Sequence, residues 1–407
     1  MYDVIVVGAR CAGAATALLL AQRGYQVLLV DKATFPSDTI SGHFILHPGT
    51  RKLAEWGLLD KVLASNCPPV NRWRTNVGDF SLSAEVPTAD GLPACIGPRR
   101  TVLDKILVDA AVAAGVELRA GFSVTDLQMA EGKVTGIRGR TKQGTLVAEN
   151  ASIVIGADGK RSKIAQLVEA PLYREHPSLT CWYMAYWSDF PSDALELNWR
   201  PGRLVLSFPT NDGLTLIAIG WPHQEFHQFR SDIEGNYRQT MQMMPELADR
   251  LPGARRVEPY MAMADVPTFF RQPYGSGWAL VGDAGHHKDP TPARGISDAF
   301  CDADLLAAAI DDGLNGRQPL QQALAQYEQK RNERAIPDND ITLQRAQLKG
   351  WDAPDMRQLR LILRDNPLEA GRYFAAMSLV TPLATFFAPD NLRRILSEAQ
   401  SIMPEPA

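Results

Sequence analysis

Residues 2–31 read YDVIVVGARCAGAATALLLAQRGYQVLLVD, and this stretch decides the fold. YDVIVV is a short apolar run that stops at Gly8, as a buried parallel strand does. From Cys11 to Arg23 the chain is mostly Ala and Leu, good helix formers, and Gly24 is a natural stop. QVLLV (26–30) is a second apolar strand, closed by Asp31. Strand, helix and strand together have the length of a βαβ unit. Gly8-Ala9-Arg10-Cys11-Ala12-Gly13 lies where a dinucleotide fingerprint belongs. Gly8 permits the tight turn, Gly13 lets the helix pack on the strand, and the helix N-terminus offers free N–H groups to a pyrophosphate. Asp31, 18 residues past Gly13, can accept hydrogen bonds from ribose hydroxyls, with Lys32 beside it. One position departs from the pattern: the second glycine is Arg10. Its side chain either points away from the close-approach point or contacts the diphosphate.

Working outward, Pro48–Leu63 reads as helix, and 66–98 as an excursion into a second layer. Thr101–Ala114 reads as a long helix, 121–149 as antiparallel hairpins, and ASIVIGADG (151–159) as a buried strand ending in glycine. Residues 179–222 are strand-rich, with Asn211-Asp212-Gly213 as a hairpin turn. WALVG (278–282) is one more buried strand, 296–312 a long helix, and 320–401 nearly all helical. The order predicts a nucleotide-binding domain assembled from non-contiguous pieces.

Composition sets the class. The 407 residues carry 42 Lys+Arg and 46 Asp+Glu, a net charge of −4, with 45% hydrophobic residues, as in a soluble globular protein. No cation excess exists to neutralise a nucleic-acid backbone, so a nucleic-acid partner is not expected. Cys11, Cys67, Cys95, Cys181 and Cys301 form no metal-ligand spacing, and no metal is expected. They read as small apolar residues in a reducing compartment, hence a cytoplasmic location. No targeting segment fits at the front, and no apolar run is long enough for a transmembrane helix. The longest uncharged run, Tyr373–Pro389, is broken by Pro382. Packing or pocket capping is favoured for it over lying on a membrane surface.

Two further motifs choose the dinucleotide. Gly156-Ala157-Asp158-Gly159 ends a strand and opens a helix, and Gly282-Asp283-Ala284-Gly285 does the same. An Asp just past a strand can accept hydrogen bonds from a polyol such as the ribitol of a flavin. The N-terminus of the 296–312 helix would stabilise an anionic reduced flavin ring. A nicotinamide-only enzyme has no use for either site.

With these three markers in this order, the sequence resembles the FAD-dependent monooxygenase superfamily of the p-hydroxybenzoate hydroxylase fold. That superfamily also holds geranylgeranyl-reductase-like enzymes and flavin halogenases. The resemblance implies an α/β protein: a Rossmann-like FAD-binding domain, an inserted, mainly antiparallel β-sheet substrate domain, and a helical C-terminal region. The FAD part would comprise 1–65, 99–170 and 265–335, the substrate part 66–98 and 171–264, and the helical region 336–407. The stretch GDAGHHKDPTPARGISDA carries the family's flavin contacts onto Asp283, Pro290, Arg294, Gly295 and Ile296. Arg100 matches the polar flavin contact before the long helix, and His43 with Phe44 falls in the segment that touches the isoalloxazine or else packs in the core.

The implied activity is that of an FAD-dependent monooxygenase reduced by NADPH or NADH. It would hydroxylate or epoxidise an apolar, aromatic-type small molecule through a flavin C4a-hydroperoxide in a dry pocket. The alternative is a C=C reductase of the geranylgeranyl-reductase type. Halogenation ranks third, because WYMAYW (182–187) lacks the WxWxIP signature. The reductases' aromatic motif is also incomplete, Ser207-Phe208-Pro209 retaining only its Phe-Pro. No second glycine-rich fingerprint occurs, so a nicotinamide donor would dock transiently, which is favoured, or a separate flavin reductase would supply reduced FAD.

No catalytic triad is expected. Pocket candidates are Trp182, Tyr186, Phe208, His286 and His287. The two histidines could reach the pyrophosphate or relay a proton, or simply satisfy loop backbone. Lys288 and Asp289 read as a local ion pair. Strand alternation places Trp182, Met184 and Tyr186 on one sheet face and Tyr183 and Trp187 on the other, one set lining the pocket. Phe208 and Trp221 complete the aromatic set. Arg203 and Arg271 either orient a substrate anion or are surface cations.

Overall fold

The computed structural model describes residues 1–349 and 354–402. The strand Tyr2–Val7 pairs in parallel with Val27–Asp31 on one side and with the end of Leu146–Gly156 on the other. Glu117–Ala120 and Trp278–Leu280 extend the parallel sheet at its two edges, and Tyr274–Gly275 adds an antiparallel strand. Period-two alternation divides the central strand between two cores. Val4 and Val6 face the helices Cys11–Ala21, Arg100–Ala113 and Gly295–Leu314, while Ile5 and Val7 face the hairpin 123–140 and the helix Lys163–Leu167. Both faces are covered, which is why these strands read as continuous apolar runs. The long strand Leu146–Gly156 serves two partners, the hairpin with its first half and the parallel sheet with its second. The helix expected over 48–63 is two helices, His47–Glu55 and Leu59–Leu63, interrupted at Gly57, where φ is 68°.

A second eight-stranded sheet lies apart in sequence. Its order is Arg255–Arg256, Thr180–Ser188, Thr215–Pro222, Arg203–Pro209, Ala194–Arg200, Arg72–Asn76 and Ser81–Glu85, with Met261–Met263 also on Thr180–Ser188. Every pairing is antiparallel except Ala194–Arg200 with Arg72–Asn76. The strand Leu172–His176 stays outside this sheet and pairs with Thr268–Arg271, which in turn pairs with His286–His287.

The two faces of the second sheet bury different aromatics. Trp182, Met184 and Tyr186 share a core with Trp73, Phe208, Tyr373 and Phe374. Tyr183, Trp187 and Trp221 pack instead under the helices Phe226–Ser231 and Ile233–Gln242. After Gly295–Leu314 the chain is helical: Leu320–Ala346, Pro354–Arg364, Pro367–Met377, Leu383–Phe386 and Pro389–Ile402. The uncharged run 373–389 packs Tyr373, Phe374 and Phe386 into the core of the second sheet, and Pro382 separates its two helices. Among the described residues no helix is long and apolar enough to cross a membrane.

Candidate active site

The loop 8–13 sits at the carboxyl end of the first strand, beside the carboxyl end of Leu146–Gly156. Gly8 has φ 104°, and a Cβ there would fall 2.4 Å from the Ala157 carbonyl oxygen. A Cβ on Gly13 would fall 1.8 Å from the Gly8 carbonyl oxygen, so only glycine fits either place. Asp31 accepts the amides of Ala9 and Ala33, each at 2.7 Å, and thereby holds the loop against the second strand. Lys32 beside it is exposed. The first intrahelical bond runs from Ala14 N–H to the Arg10 carbonyl, and no described residue supplies an acceptor to the amides of Cys11, Ala12 and Gly13. Three unsatisfied donors at the positive end of a helix make a cradle that could hold a diphosphate.

Arg10 follows the first of its two expected routes. It turns away from the helix end and donates to Asp104 Oδ2 at 2.6 Å and to the Ser37 and Asp38 carbonyls. Asp104 also receives Arg100 bidentately, at 3.0 Å from both Nε and Nη2, and the Cys11 thiol at 3.3 Å. Burial pushes that thiol well up, so Cys11 stays protonated.

The Gly282–Ala284 turn abuts this cradle, since a Cβ on Gly282 would meet the Ala12 methyl at 2.7 Å. Its Asp283 is exposed and makes no hydrogen bond or ion pair with a described residue, while its charge acts on Arg100 and Lys160. An unpartnered carboxylate at the cleft suits a polyol. Asp158 is placed differently. It accepts Ser162 Oγ at 2.5 Å and the Lys163 amide at 2.6 Å, capping the helix Lys163–Leu167. Burial raises its pKa above the ordinary carboxylate value. Its carboxylate organises the loop from within instead of facing a polyol, and Gly159 beside it borders open space.

At the far end of the cleft, no side chain caps the helix Gly295–Leu314. Asp298 N–H bonds the Arg294 carbonyl, and the amides of Gly295, Ile296 and Ser297 have no acceptor among the described residues. Space is open at Gly295, as a flavin ring edge at this terminus would need. Pro290 leads into the turn, and Arg294 is buried in an ion pair with Asp338. The segment that follows the second strand is tied to this helix by Leu46 N–H to Ser297 Oγ at 2.9 Å.

His43, in the same segment, is 1% exposed, and neither ring nitrogen has a hydrogen-bond partner. It stacks on Tyr186 at 5.6 Å and meets Phe208 edge-on at 5.5 Å. Burial and the nearby Arg100 and Arg99 push it down to about 3, so it is neutral. Tyr186 is kept protonated by burial, and the Arg99 guanidinium lies 4.4 Å from its ring centroid. Trp182 donates to Thr180, whose hydroxyl reaches Asp289 at 2.6 Å, linking the second sheet to the loop before Gly295.

One expectation, the local ion pair Lys288–Asp289, is overturned, and several residues with two readings take up definite partners. Lys288 pairs with Asp298, while Asp289 bonds Thr180 and Thr291; the two neighbours point apart along the chain. His286 is buried on Phe270 at 4.0 Å, and His287 bonds the Pro267 carbonyl, so both serve the three-stranded sheet. Arg203 pairs with Glu225, and Arg271 donates to the Ala284 carbonyl. A narrow cavity of about 40 Å³ begins at Thr291–Arg294 and runs along the second sheet, between Trp73, Leu197, Trp199 and Leu206 on one side and Tyr373, Phe374 and Met377 on the other. Its far wall comes from helix Pro367–Met377, whose Tyr373, Phe374 and Met377 open the uncharged run for which packing or pocket capping is the sequence expectation. Asp104 and Arg99 were not among the expected contacts. The spacing of Arg100 and Asp104 does signal an i,i+4 pair, whereas Arg10 joins it from 94 residues away.

A family model described as an FAD binding domain matches residues 1–337. The chain is 24% identical over 400 residues to a digeranylgeranylglycerophospholipid reductase of Methanothrix thermoacetophila, covering 90% of this chain and 96% of the relative. Among solved structures it is similar to a flavin-dependent brominase, with a TM-score of 0.80 at 18% identity over 99% of this chain and 100% of the other. It is also similar to pqsL of Pseudomonas aeruginosa, described as a probable FAD-dependent monooxygenase, with a TM-score of 0.68 at 19% identity over 92% and 99%. These structures share the α/β fold with this chain.

Proposed function

Because the chain belongs to the FAD binding domain family and is an FAD-dependent oxidoreductase, we propose that it is a monooxygenase that inserts oxygen into an apolar small molecule. When bound, FAD supplies the two-electron and oxygen chemistry. The cradle at Cys11–Gly13 would hold its diphosphate, Asp31 and Lys32 its adenosine end, Asp283 its ribitol, and the Gly295–Ser297 amides its ring edge. Pieces 1–65, 99–170 and 265–335 form the cofactor part, with the second sheet over it as the substrate part.

One observation carries this reading: His43, Tyr186 and Phe208 form a buried aromatic cluster whose imidazole and phenol are both held neutral, with the Arg99 guanidinium stacked on the Tyr186 ring. A neutral imidazole and a protonated phenol neither attract bulk water as ions would nor release protons at neutral pH. The adjoining slot is too small for a substrate as it stands, so helix Pro367–Met377 would shift outward to admit one.

A second reading, reduction of C=C bonds in an extended isoprenoid-like chain, is favoured by the reductase relative and by the mainly apolar side chains that line the slot. The two part in one experiment. Holoprotein is reduced anaerobically with NADPH or NADH, then given apolar aromatic and prenyl compounds with or without isotopically labelled dioxygen. Label in the product supports oxygen insertion; product formed without dioxygen refutes it in favour of reduction. Bleaching of the flavin by NADPH or NADH alone favours a docking donor over a separate flavin reductase. Five unpaired thiols fit a cytoplasmic location.

A further inference from the structure

We propose that Asp104 is the positioning residue of the diphosphate site, holding Arg10 and Arg100 in the arrangement that FAD requires; this rests on the reading that the cradle at Cys11–Gly13 takes that diphosphate. Asp104 is wholly buried on the helix Arg100–Ala113, and its two oxygens receive three arginine N–H groups and the Cys11 thiol. Two guanidinium ions against one carboxylate leave one positive charge in surplus beside three unsatisfied helix amides. The surplus has an outlet. Arg100 spends Nε and Nη2 on Asp104, while its Nη1 has no partner among the described residues. The bidentate grip fixes the guanidinium plane, so the Nη1 edge is held in one direction before any ligand arrives.

Arg10 uses the same carboxylate differently. Anchored on Asp104, it reaches across to the Ser37 hydroxyl and the Ser37 and Asp38 carbonyls, tying the loop after the second strand to the cradle. This accounts for an arginine at the fingerprint's second glycine: its side chain is drawn out of the close-approach space and becomes a strap. Without the carboxylate, the buried Arg100 and the half-buried Arg10 would repel, and both would turn toward solvent or crowd the helix N-terminus.

The test is a titration of flavin-free protein with FAD and with riboflavin, which lacks both phosphates, in the wild-type chain, Asp104→Asn, Arg100→Met and the double variant. Wild-type protein that fails to bind FAD would defeat the cofactor reading itself, independently of Asp104. Given wild-type binding, Asp104→Asn should weaken FAD by about tenfold or more and leave riboflavin nearly unchanged. The double variant should lose less than the two single variants' losses added together, because the Arg100 part is shared while the Arg10 part remains. Equal loss of both ligands, or full additivity in the double variant, would overturn the proposal and leave Asp104 a purely structural residue. Should Asp104→Asn not fold, Asp104→Glu, which keeps the charge, replaces it. Retention of FAD discrimination over riboflavin is then expected, and its loss would be counter to the proposal.

Discussion

Replacing Asp283 by alanine should weaken FAD binding without disturbing the fold. The carboxylate is exposed and bonds no described residue, so its removal should change stability by no more than about 0.5 kcal/mol. The turn that carries it is held by Gly285 N–H to the Gly282 carbonyl at 2.9 Å and by the close approach of Gly282 to Ala12, neither of which involves the side chain. A hydrogen bond from a ligand hydroxyl to a carboxylate contributes about 1.5–3 kcal/mol, or roughly 10- to 150-fold in affinity. A second effect opposes it: Asp283 lies near Arg100 and Lys160, and losing its charge leaves those cations with more pull on a diphosphate. The net should fall at the lower end, about tenfold in FAD dissociation constant. Titration of the flavin-free variant by flavin fluorescence reads the affinity, and its melting curve reads the fold. Unchanged FAD affinity refutes the reasoning. So does a stability loss of several kcal/mol in the flavin-free state, because it would mean that the carboxylate serves the fold.

Gly13→Ala should yield protein without flavin absorbance, destabilised by about 1–3 kcal/mol, because the new methyl meets the Gly8 carbonyl and neither backbone can yield cheaply. Trp187→Ala should cost about 3–5 kcal/mol in urea unfolding while the folded fraction keeps its FAD, since Trp187 packs on the sheet face away from the cleft. Met377→Trp should fill the slot, raising KM for an apolar substrate without changing FAD content. His43 titrates at about 3 in the folded protein, below its unfolded value of about 6.5. Between those values the unfolded chain binds a proton that the folded chain refuses, so stability is full above pH 6.5 and falls as pH drops toward 3. The slope is about 1.4 kcal/mol per pH unit. His43→Phe should remove that much of the slope in urea unfolding between pH 6.5 and 5; an unchanged slope would mean the imidazole charges in place.

Much of the glycine-loop end of the candidate site was legible in the sequence because it is local. A strand, a glycine turn, a helix start and an acid at the end of the next strand are consecutive, and their hydrogen bonds close within about thirty residues. The same holds for Gly282-Asp283 and the helix after it, and for the alternation that separates Trp182 and Tyr186 from Tyr183 and Trp187. By itself the sequence determined that a Rossmann-like cradle forms and that a strand-rich insertion interrupts it. Only the tertiary structure decided the directions of side chains: Arg10 toward Asp104, Asp158 into its own helix cap, Lys288 to Asp298 and not to its neighbour, and His286 and His287 into a small sheet. It also decided that helix Pro367–Met377 walls the slot. The physical reason is that charge pairing and burial depend on distances through space, and residues far apart in the chain, such as Arg10 and Asp104, carry no periodic signal of their meeting.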